Sequence, residues 1–233
     1  MKQLIKKIVY SIPVLRRLWE DRYKRQEKRL LDKRIKVFKE RGIETIQMVE
    51  STLSKSGLEY FATCGTLLGL IRENRLLRND YDMDYGVLIR DDKTWSLLED
   101  TLKGIGFSKI RCFTLNDKVT EQSYANDKGM TIDFFGHFIE DGELCFYSFD
   151  KIEGEQYPAE DHWSAYILRN GKYCGVKKIE TEIGTVTVPV NAEEYLTYNY
   201  NDNWMIPDPN FKANTGKGCS LIKDTYGIIH TYE

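Results

Sequence analysis

The chain has 233 residues, of which 41% are hydrophobic and 30% charged, with a net charge of -2 at pH 7. This composition is that of an ordinary folded protein and excludes disorder over most of the chain. The length suits one catalytic domain with short appendages. Residues 1–42 carry fifteen Lys or Arg against five Asp or Glu, so the remainder is acidic. An acidic body argues against a nucleic-acid-binding enzyme, because phosphate contacts need clustered cations.

The cysteine spacing and the hydrophobic pattern indicate the cellular compartment of the protein. The five cysteines are at least 29 residues apart, with no spacing typical of a zinc site or a disulfide framework. Reduced thiols in the cytoplasm fit best. No apolar run reaches the roughly 18 residues expected of a membrane-spanning helix. The N-terminus also lacks a signal-peptide cleavage site. We therefore expect a cytoplasmic protein.

The N-terminal segment combines a short apolar stretch with flanking Lys and Arg over residues 1–19. Two interpretations are open: peripheral contact with the inner face of the cytoplasmic membrane, or packing on the body or on a partner subunit. Residues 20–41 predict a charged helix with one apolar stripe, and a second helix is predicted from residue 43 to about residue 55. Pro13 predicts a break rather than one long helix. The predicted organisation is a basic helical arm over 1–42 and a catalytic domain over 43–233.

From residue 58 the pattern changes to strands alternating with short helices. Strands are predicted over 58–63, 84–90, 107–113, 131–138 and 144–149, followed by a hairpin over 179–190 that turns at Gly184. Helices are predicted over 65–72, from about residue 91 to 102, and from Asn191, with Glu194 as its capping-box partner. After Tyr200 the chain reads as irregular. The pattern predicts a single α+β domain.

Three acids alternate at the entrance to the strand predicted over 84–90. Asp80, Asp82 and Asp84 are two residues apart, so Asp82 and Asp84 point to the same face. Neighbouring carboxylates repel each other, and a shared Mg²⁺ or Mn²⁺ would remove that repulsion. The alternatives for this cluster alone are a solvated turn and a calcium-type loop.

A glycine and a hydroxyl precede the acids, and a further acid follows them. Gly65 permits close backbone approach to a ligand, and Thr66 lies at a predicted helix start, where N–H groups can hold phosphate. Asp133 is the single acid in the apolar strand MTIDFFGHF, which predicts a metal ligand, a general base or a structural partner of an Arg. His137 points to the same face, where a structural role is favoured over a place in the site.

The segment GTLLGLIRENRLLRNDYDMDYGV (65–87) resembles the signature of the LicD family, which includes bacterial phosphorylcholine transferases and the fukutin-related proteins. Weaker similarity extends to Asp133 and to YLTYNYNDNWMIPDP (195–209). The sequence departs from the family pattern at Asn79, where the family has Trp, and at Tyr81, where it has an acid. A glycine of the later motif is also replaced, around Asn201.

The resemblance implies a nucleotidyltransferase-like mixed sheet flanked by helices. It also implies transfer of a phospho-substituent, such as phosphocholine, ribitol phosphate or glycerol phosphate, from a CDP-linked donor. The acceptor would be a hydroxyl of a cell-surface or lipid-linked glycan, of the teichoic acid, capsule or lipopolysaccharide kind. In this interpretation Asp82, Asp84 and Asp133 hold the metal and carry catalysis. The donor phosphates are bound by Gly65, Thr66, Arg72 and Arg78.

Two alternatives stay open at this point. One is a nucleotidyltransferase that moves a whole nucleotide onto a small molecule or protein, and the other is an inactive binding protein in glycan assembly. For each Arg, a surface ion pair is an equal alternative. Trp204, Tyr198 and Tyr200 are expected to be core residues more than ligand contacts. The oligomeric state is not predicted.

Overall fold

The computed structural model describes residues 13–232, so the apolar stretch of the predicted membrane segment lies largely outside it. Helix α1 spans Pro13–Leu53 as one continuous element. The separate second helix predicted from residue 43 is therefore wrong, whereas the break predicted at Pro13 involves residues outside the described range and stays a prediction. Proline is accepted in a first helical turn. A Cβ on Gly42 would lie 3.1 Å from Leu76, so this glycine permits close packing without ending the helix.

The two halves of α1 have different surroundings. The described side chains of residues 16–33 are exposed, whereas Phe38, Ile46, Val49 and Leu53 are buried in the core. The predicted domain boundary at residue 42 falls within this helix and stays a prediction. None of the helices in residues 13–232 combines the length and the apolar character needed to cross a membrane.

The remaining elements follow in chain order, and their bounds are β1 (Tyr60–Ala62), α2 (Cys64–Glu73), β2 (Met83–Leu88), α3 (Thr94–Lys103), β3 (Phe107–Leu115), β4 (Lys118–Asn126), β5 (Thr131–Glu140), β6 (Glu143–Asp150), β7 (His162–Lys172), β8 (Val176–Thr181), β9 (Gly184–Pro189), α4 (Ala192–Tyr200) and β10 (Cys219–Thr231). The strands form a mixed eight-stranded sheet in the order β1-β2-β5-β4-β3-β10-β7-β6, and β8 and β9 form a separate hairpin. Strands β2 and β5 are parallel, and the other pairs are antiparallel.

Strand β6 also pairs with β5, so the sheet curls back on itself. The strands β5-β4-β3-β10-β7-β6 thus form a closed circuit of hydrogen-bonded neighbours, which we call the strand ring. On its other edge β5 pairs with β2, so this one strand joins the ring to β1, β2 and the helices packed on them.

The α+β class, the mixed sheet and most predicted elements are confirmed. The predicted irregular end is wrong, because residues 219–231 form β10, which lies between β3 and β7. Strands β4 and β7 were not predicted. The capping box at α4 is also wrong: Asn191 is the N-cap residue but makes no capping bond, because its amide donates to Glu194 Oε2 and to the Lys172 carbonyl.

Candidate active site

The three predicted acids meet at the start of two neighbouring parallel strands. Asp84 on β2 is the Cα partner of Asp133 on β5, and Asp82 directly precedes β2. All three line one cavity of about 450 Å³. The structure therefore brings together side chains that are about 50 residues apart in the sequence.

The turn into α2 fixes the position of Asp84. The Gly65 N–H donates to Asp84 Oδ2 at 3.0 Å, and the Asp84 N–H donates to the Thr66 hydroxyl at 2.9 Å. The Thr63 N–H donates to the Asp84 carbonyl at 3.0 Å. A Cβ at residue 65 would lie 3.0 Å from Asp80 Oδ2 and 3.3 Å from Asp84 Oδ2, so a side chain at this position would displace these carboxylates. Thr66 is fully buried, and its hydroxyl serves the backbone of Asp84.

The acids share a strongly unfavourable electrostatic environment. Burial, followed by the charges of Asp82 and Asp133, raises the pKa of Asp84 well above its usual value. Burial and then Asp133 raise the pKa of Asp82 to about 7. Buried carboxylates with like-charged neighbours resist ionisation until a cation compensates them.

Asp80 joins this cluster, although the sequence argument gave it no role. Its Oδ2 is buried and has no hydrogen-bond partner among the described residues, and it faces the Gly65 backbone. Burial raises its pKa to about 6, and the charge of Arg72 opposes that shift. A buried carboxylate oxygen without a partner indicates that the site is built to receive a positively charged or hydrogen-bond-donating ligand.

The N-terminal helix contributes a cation that the sequence argument missed. Arg34 Nη2 donates to Asp82 Oδ2 at 3.3 Å and to Thr131 Oγ1 at 3.0 Å. Its guanidinium also lies 4.3 Å from the ring centroid of Tyr81, the residue that replaces an acid of the family pattern. No sequence signal separates Arg34 from the many other cations of the arm.

A second cation contacts the opposite side of the cluster. Arg111 Nη2 lies 3.3 Å from Asp133 Oδ2 and 3.2 Å from Glu121 Oε1, and its Nε donates to Ser123. Glu121 is buried, and burial, then the charge of Asp133, raises its pKa to about 8. Had β4 been predicted, the alternation of Glu121 and Ser123 along it would have placed both side chains on one face of the sheet, where they contact Arg111.

Three other residues considered in the sequence, Arg72, Arg78 and His137, lie in the described range and make no hydrogen bond to the acid cluster. The Arg72 guanidinium donates to the Trp204 carbonyl and to Glu73, so it ties α2 to the loop after α4. Arg78 is exposed on the loop before β2 and does not line the cavity. His137 is fully buried and bonded to Tyr195 and the Phe135 carbonyl, and burial lowers its pKa to about 3.

The aromatic residues of the 195–209 motif lie partly in the core and partly at the cavity. Trp204 is 9% exposed and belongs to the core cluster. Tyr200 lines the cavity, whereas Tyr198 does not. Asn201, where the family glycine is replaced, has φ 68° and ψ 179°, a region of backbone conformation that is essentially restricted to glycine, so the Asn backbone is strained there.

The acid cluster suits a divalent cation that is only partly enclosed by protein. Within the described part of the chain, no group of three or more His, Cys, Asp or Glu side chains is placed to hold a metal ion by itself. Mg²⁺ is commonly held by one or two carboxylates, with water and substrate phosphates as the other ligands. Asp82, Asp84 and Asp133 supply the hard oxygen donors that such an ion prefers, and a bound cation would relieve their mutual repulsion.

Comparison with known proteins identifies the family. Residues 57–191, more than half of the chain, match the model described as "LicD/FKTN/FKRP, nucleotidyltransferase domain". The chain belongs to the LicD family. The match includes Gly65, Asp82, Asp84 and Asp133, together with the strands and the helix that position them. The predicted nucleotidyltransferase-like fold is thereby confirmed.

Relatives of known function are distant and much longer. The chain is 23% identical over 170 residues to the ribitol-5-phosphate transferase FKTN of Homo sapiens and 24% identical over 171 residues to that of Mus musculus. These alignments cover 73% of the chain but 34% of either relative, so the chain spans about a third of their length.

One solved structure is also similar. The lincosamide antibiotic adenylyltransferase LnuA, bound to lincomycin, matches with a TM-score of 0.41 at 10% identity, covering 68% of this chain and 87% of the other.

Proposed function

We propose that this protein transfers a phospho-substituent, such as phosphocholine or a polyol phosphate, from a CDP-linked donor to a glycan hydroxyl. The observation that carries the proposal is the pairing of Asp84 with Asp133 across parallel strands, with Asp82 beside them. Mg²⁺ or Mn²⁺ held by these acids would neutralise the donor diphosphate during transfer. Membership of the LicD family and the similarity to ribitol-5-phosphate transferases support the class of group transferred.

The residues of this chain act on the donor and the acceptor in different ways. The α2 turn holds Asp84 rigidly, and Arg34 and Arg111 limit the freedom of Asp82 and Asp133. Asp133 accepts the proton of the acceptor hydroxyl. The hydroxyl oxygen then forms a bond to phosphorus, the bond from phosphorus to the CMP oxygen breaks, and CMP leaves with that electron pair. Positioning and charge neutralisation account for most of the rate enhancement.

A product analysis tests this function and separates it from nucleotidyl transfer. The full chain is incubated with CDP-choline, CDP-ribitol or CDP-glycerol and Mg²⁺, with CTP as the matched alternative donor. Slow release of CMP from a CDP-alcohol supports the proposal. Release of pyrophosphate from CTP, without CMP release from any CDP-alcohol, would instead assign nucleotidyl transfer. Asp84→Asn is the inactive control in both reactions.

A further inference from the structure

The wall of the cavity beyond Asp133 is aromatic. Phe135 on β5, Phe149 on β6 and Trp163 on β7 are half-buried and line the cavity. Phe113 also lines the cavity and packs against two of them, with ring centroids 4.7 Å from Phe149 and 5.6 Å from Trp163. Because buried packing fixes these rings, they offer a preformed apolar surface. We call Phe135, Phe149 and Trp163 the aromatic wall.

Polar groups without protein partners lie beside the aromatic wall. Ser148 and Asn214 also line the cavity, and neither side chain hydrogen-bonds to another residue in the described range 13–232. Tyr200 and Phe211 line the same cavity and pack at 4.8 Å between ring centroids, and Phe211 remains 37% exposed. The cavity therefore combines apolar surface with free hydrogen-bonding groups, as ligand pockets do.

The charges in the cavity indicate a neutral ligand at this wall. Arg111 is the only Lys or Arg among the described residues that line the cavity, and it is ion-paired with both Glu121 and Asp133. A phosphate at the aromatic wall would meet no free cation and would face buried carboxylates. A sugar ring instead packs its C–H face on aromatic rings and directs hydroxyls to polar groups at the edge.

The direction of the reaction places the acceptor on this side. In an in-line displacement, the attacking and leaving oxygens lie on opposite sides of phosphorus. The Gly65 turn contacts Asp84 on β2, whereas Asp133 lies on β5, the strand by which β2 joins the strand ring. If the donor diphosphate binds at Asp82, Asp84 and the α2 turn, the attacking hydroxyl approaches from the strand ring.

We propose that the aromatic wall is the acceptor subsite and that it binds a neutral sugar ring stacked on Trp163 and Phe149. This inference rests on the proposed function. The ring is held by its apolar face, and Ser148 and Asn214 bond to its hydroxyls. One hydroxyl is thereby directed to Asp133. The specificity of the protein for its glycan then resides in β6, β7 and the 211–214 loop.

Binding measurements with the full chain test this subsite without turnover. A panel of methyl glycosides of common hexoses and N-acetylhexosamines is titrated by saturation-transfer NMR, and CMP with Mg²⁺ is titrated in parallel. Trp163→Leu should weaken saccharide binding about fivefold or more, since stacking on a ring is worth about 1 kcal/mol or more. The affinity for CMP should change less than about twofold, well under 1 kcal/mol.

Two further variants separate the subsite from general damage. Tyr147→Leu is the matched control, because Tyr147 is a half-buried ring on β6 that packs on Phe138 and does not line the cavity. Ser148→Ala keeps the packing and should also weaken saccharide binding. A loss of CMP affinity in Trp163→Leu, with saccharide binding kept, would overturn the proposal and assign the wall to the nucleobase. Absence of saccharide binding to the native chain would overturn it as well. CMP release from CDP-alcohols into water tests the proposed function separately.

Discussion

Arg34 Nη2 donates to Asp82 Oδ2 across 3.3 Å, so the N-terminal helix contacts the acid cluster directly. The same guanidinium is bonded to Thr131 at the start of β5 and packs on the Tyr81 ring. The loop that carries Asp80 and Asp82 is therefore held between α1 and β5. The predicted arm thus supplies a residue that positions the site.

Replacement of Arg34 should lower turnover modestly. The Arg34 side chain is 42% exposed, so its ion pair is worth about 1 kcal/mol, or about fivefold in rate. Arg34→Ala should lower kcat and weaken Mg²⁺ binding, Arg34→Lys should recover part of the loss, and Lys33→Ala, an exposed neighbour, should change neither. Steady-state kinetics over a Mg²⁺ titration measure both quantities. Wild-type values in Arg34→Ala would show that Asp82 is positioned without it.

Replacement of Asp82 or Asp84 gives a sharper prediction. Asp82→Asn and Asp84→Asn should abolish measurable transfer while the fold persists, since the amide oxygen that replaces Asp84 Oδ2 can still accept the Gly65 N–H. Each change removes one of several buried like charges, so the melting temperature without metal should equal or exceed that of the native chain. Stabilisation by Mg²⁺ plus donor should disappear. Asp141→Asn, at the exposed β5–β6 turn, is the control. Full turnover in the variants would place the site elsewhere.

Asp133 is expected to act on the acceptor more than on the donor. Asp133→Asn should lower kcat by about 10²- to 10⁴-fold, the usual contribution of a positioned general base. Donor affinity, measured by calorimetry with a CDP-alcohol and Mg²⁺, should decrease far less. Equal losses of affinity and turnover would make Asp133 chiefly a metal ligand.

Stability should decrease as pH rises above about 6.5. Burial is the main cause that raises the pKa of Asp82 to about 7 and of Glu121 to about 8. From the ordinary carboxyl pKa of about 4 up to these values, the folded state retains protons that the unfolded state has released, so unfolding becomes easier with rising pH. His137 has the opposite effect, because its lowered pKa of about 3 makes stability increase with pH only up to about 6.5.

Thermal melting between pH 6.5 and 8 checks this sign. The melting temperature should fall over this interval, and Mg²⁺ should raise it more at pH 8 than at pH 6.5, because the metal binds the ionised acids. Glu121→Gln should flatten the profile. A melting temperature that rises through this interval would contradict the buried-carboxylate description.

Much of the site could be predicted from the sequence because its parts are local. The segment from Gly65 to Asp84 carries its own turn, helix and acid alternation, and Asp133 is conspicuous in an apolar strand. Arg34 and Arg111 could not be found in this way, since each meets the acids only through tertiary packing. Glu121 lies on β4, where the four consecutive residues 120–123 are all polar, so the strand lacks the apolar alternation that would have predicted it.

The strands also separate into those that a local sequence pattern predicts and those that depend on tertiary pairing. The strands with strong apolar runs were predicted, whereas β7 and β10 were not, and both belong to the strand ring. In β10, exposed Ser220, Leu221 and Lys223 interrupt any regular alternation of apolar and polar residues. Its position between β3 and β7 depends on backbone bonds to two strands, about which a local pattern carries no information.

Residues 1–19, with Lys2, Lys6, Lys7, Arg16 and Arg17 around a short apolar stretch, predict reversible membrane binding. Each cation near an anionic surface is worth about 1 kcal/mol, and Leu18, Trp19 and Tyr23 are exposed beside several of them. The full chain should sediment with anionic vesicles at low salt, and less at high salt. A truncated protein that starts near Glu20 should lose this binding but keep turnover on a soluble acceptor, because it retains Arg34. No sedimentation of the full chain at low salt would exclude this role.

The double pairing of β5 has a consequence for how the molecule opens. Ile132, Asp133, Phe134 and Phe135 each face a partner in β2 on one side and in β4 on the other, and His137 faces β2 and β6. Moving Asp133 requires two ladders of backbone bonds to separate together. Local fluctuations that expose loops and helix ends do not reach it. The amide hydrogens of β5 should therefore be among the slowest in the chain to exchange with deuterated solvent, at rates set by unfolding of the whole domain.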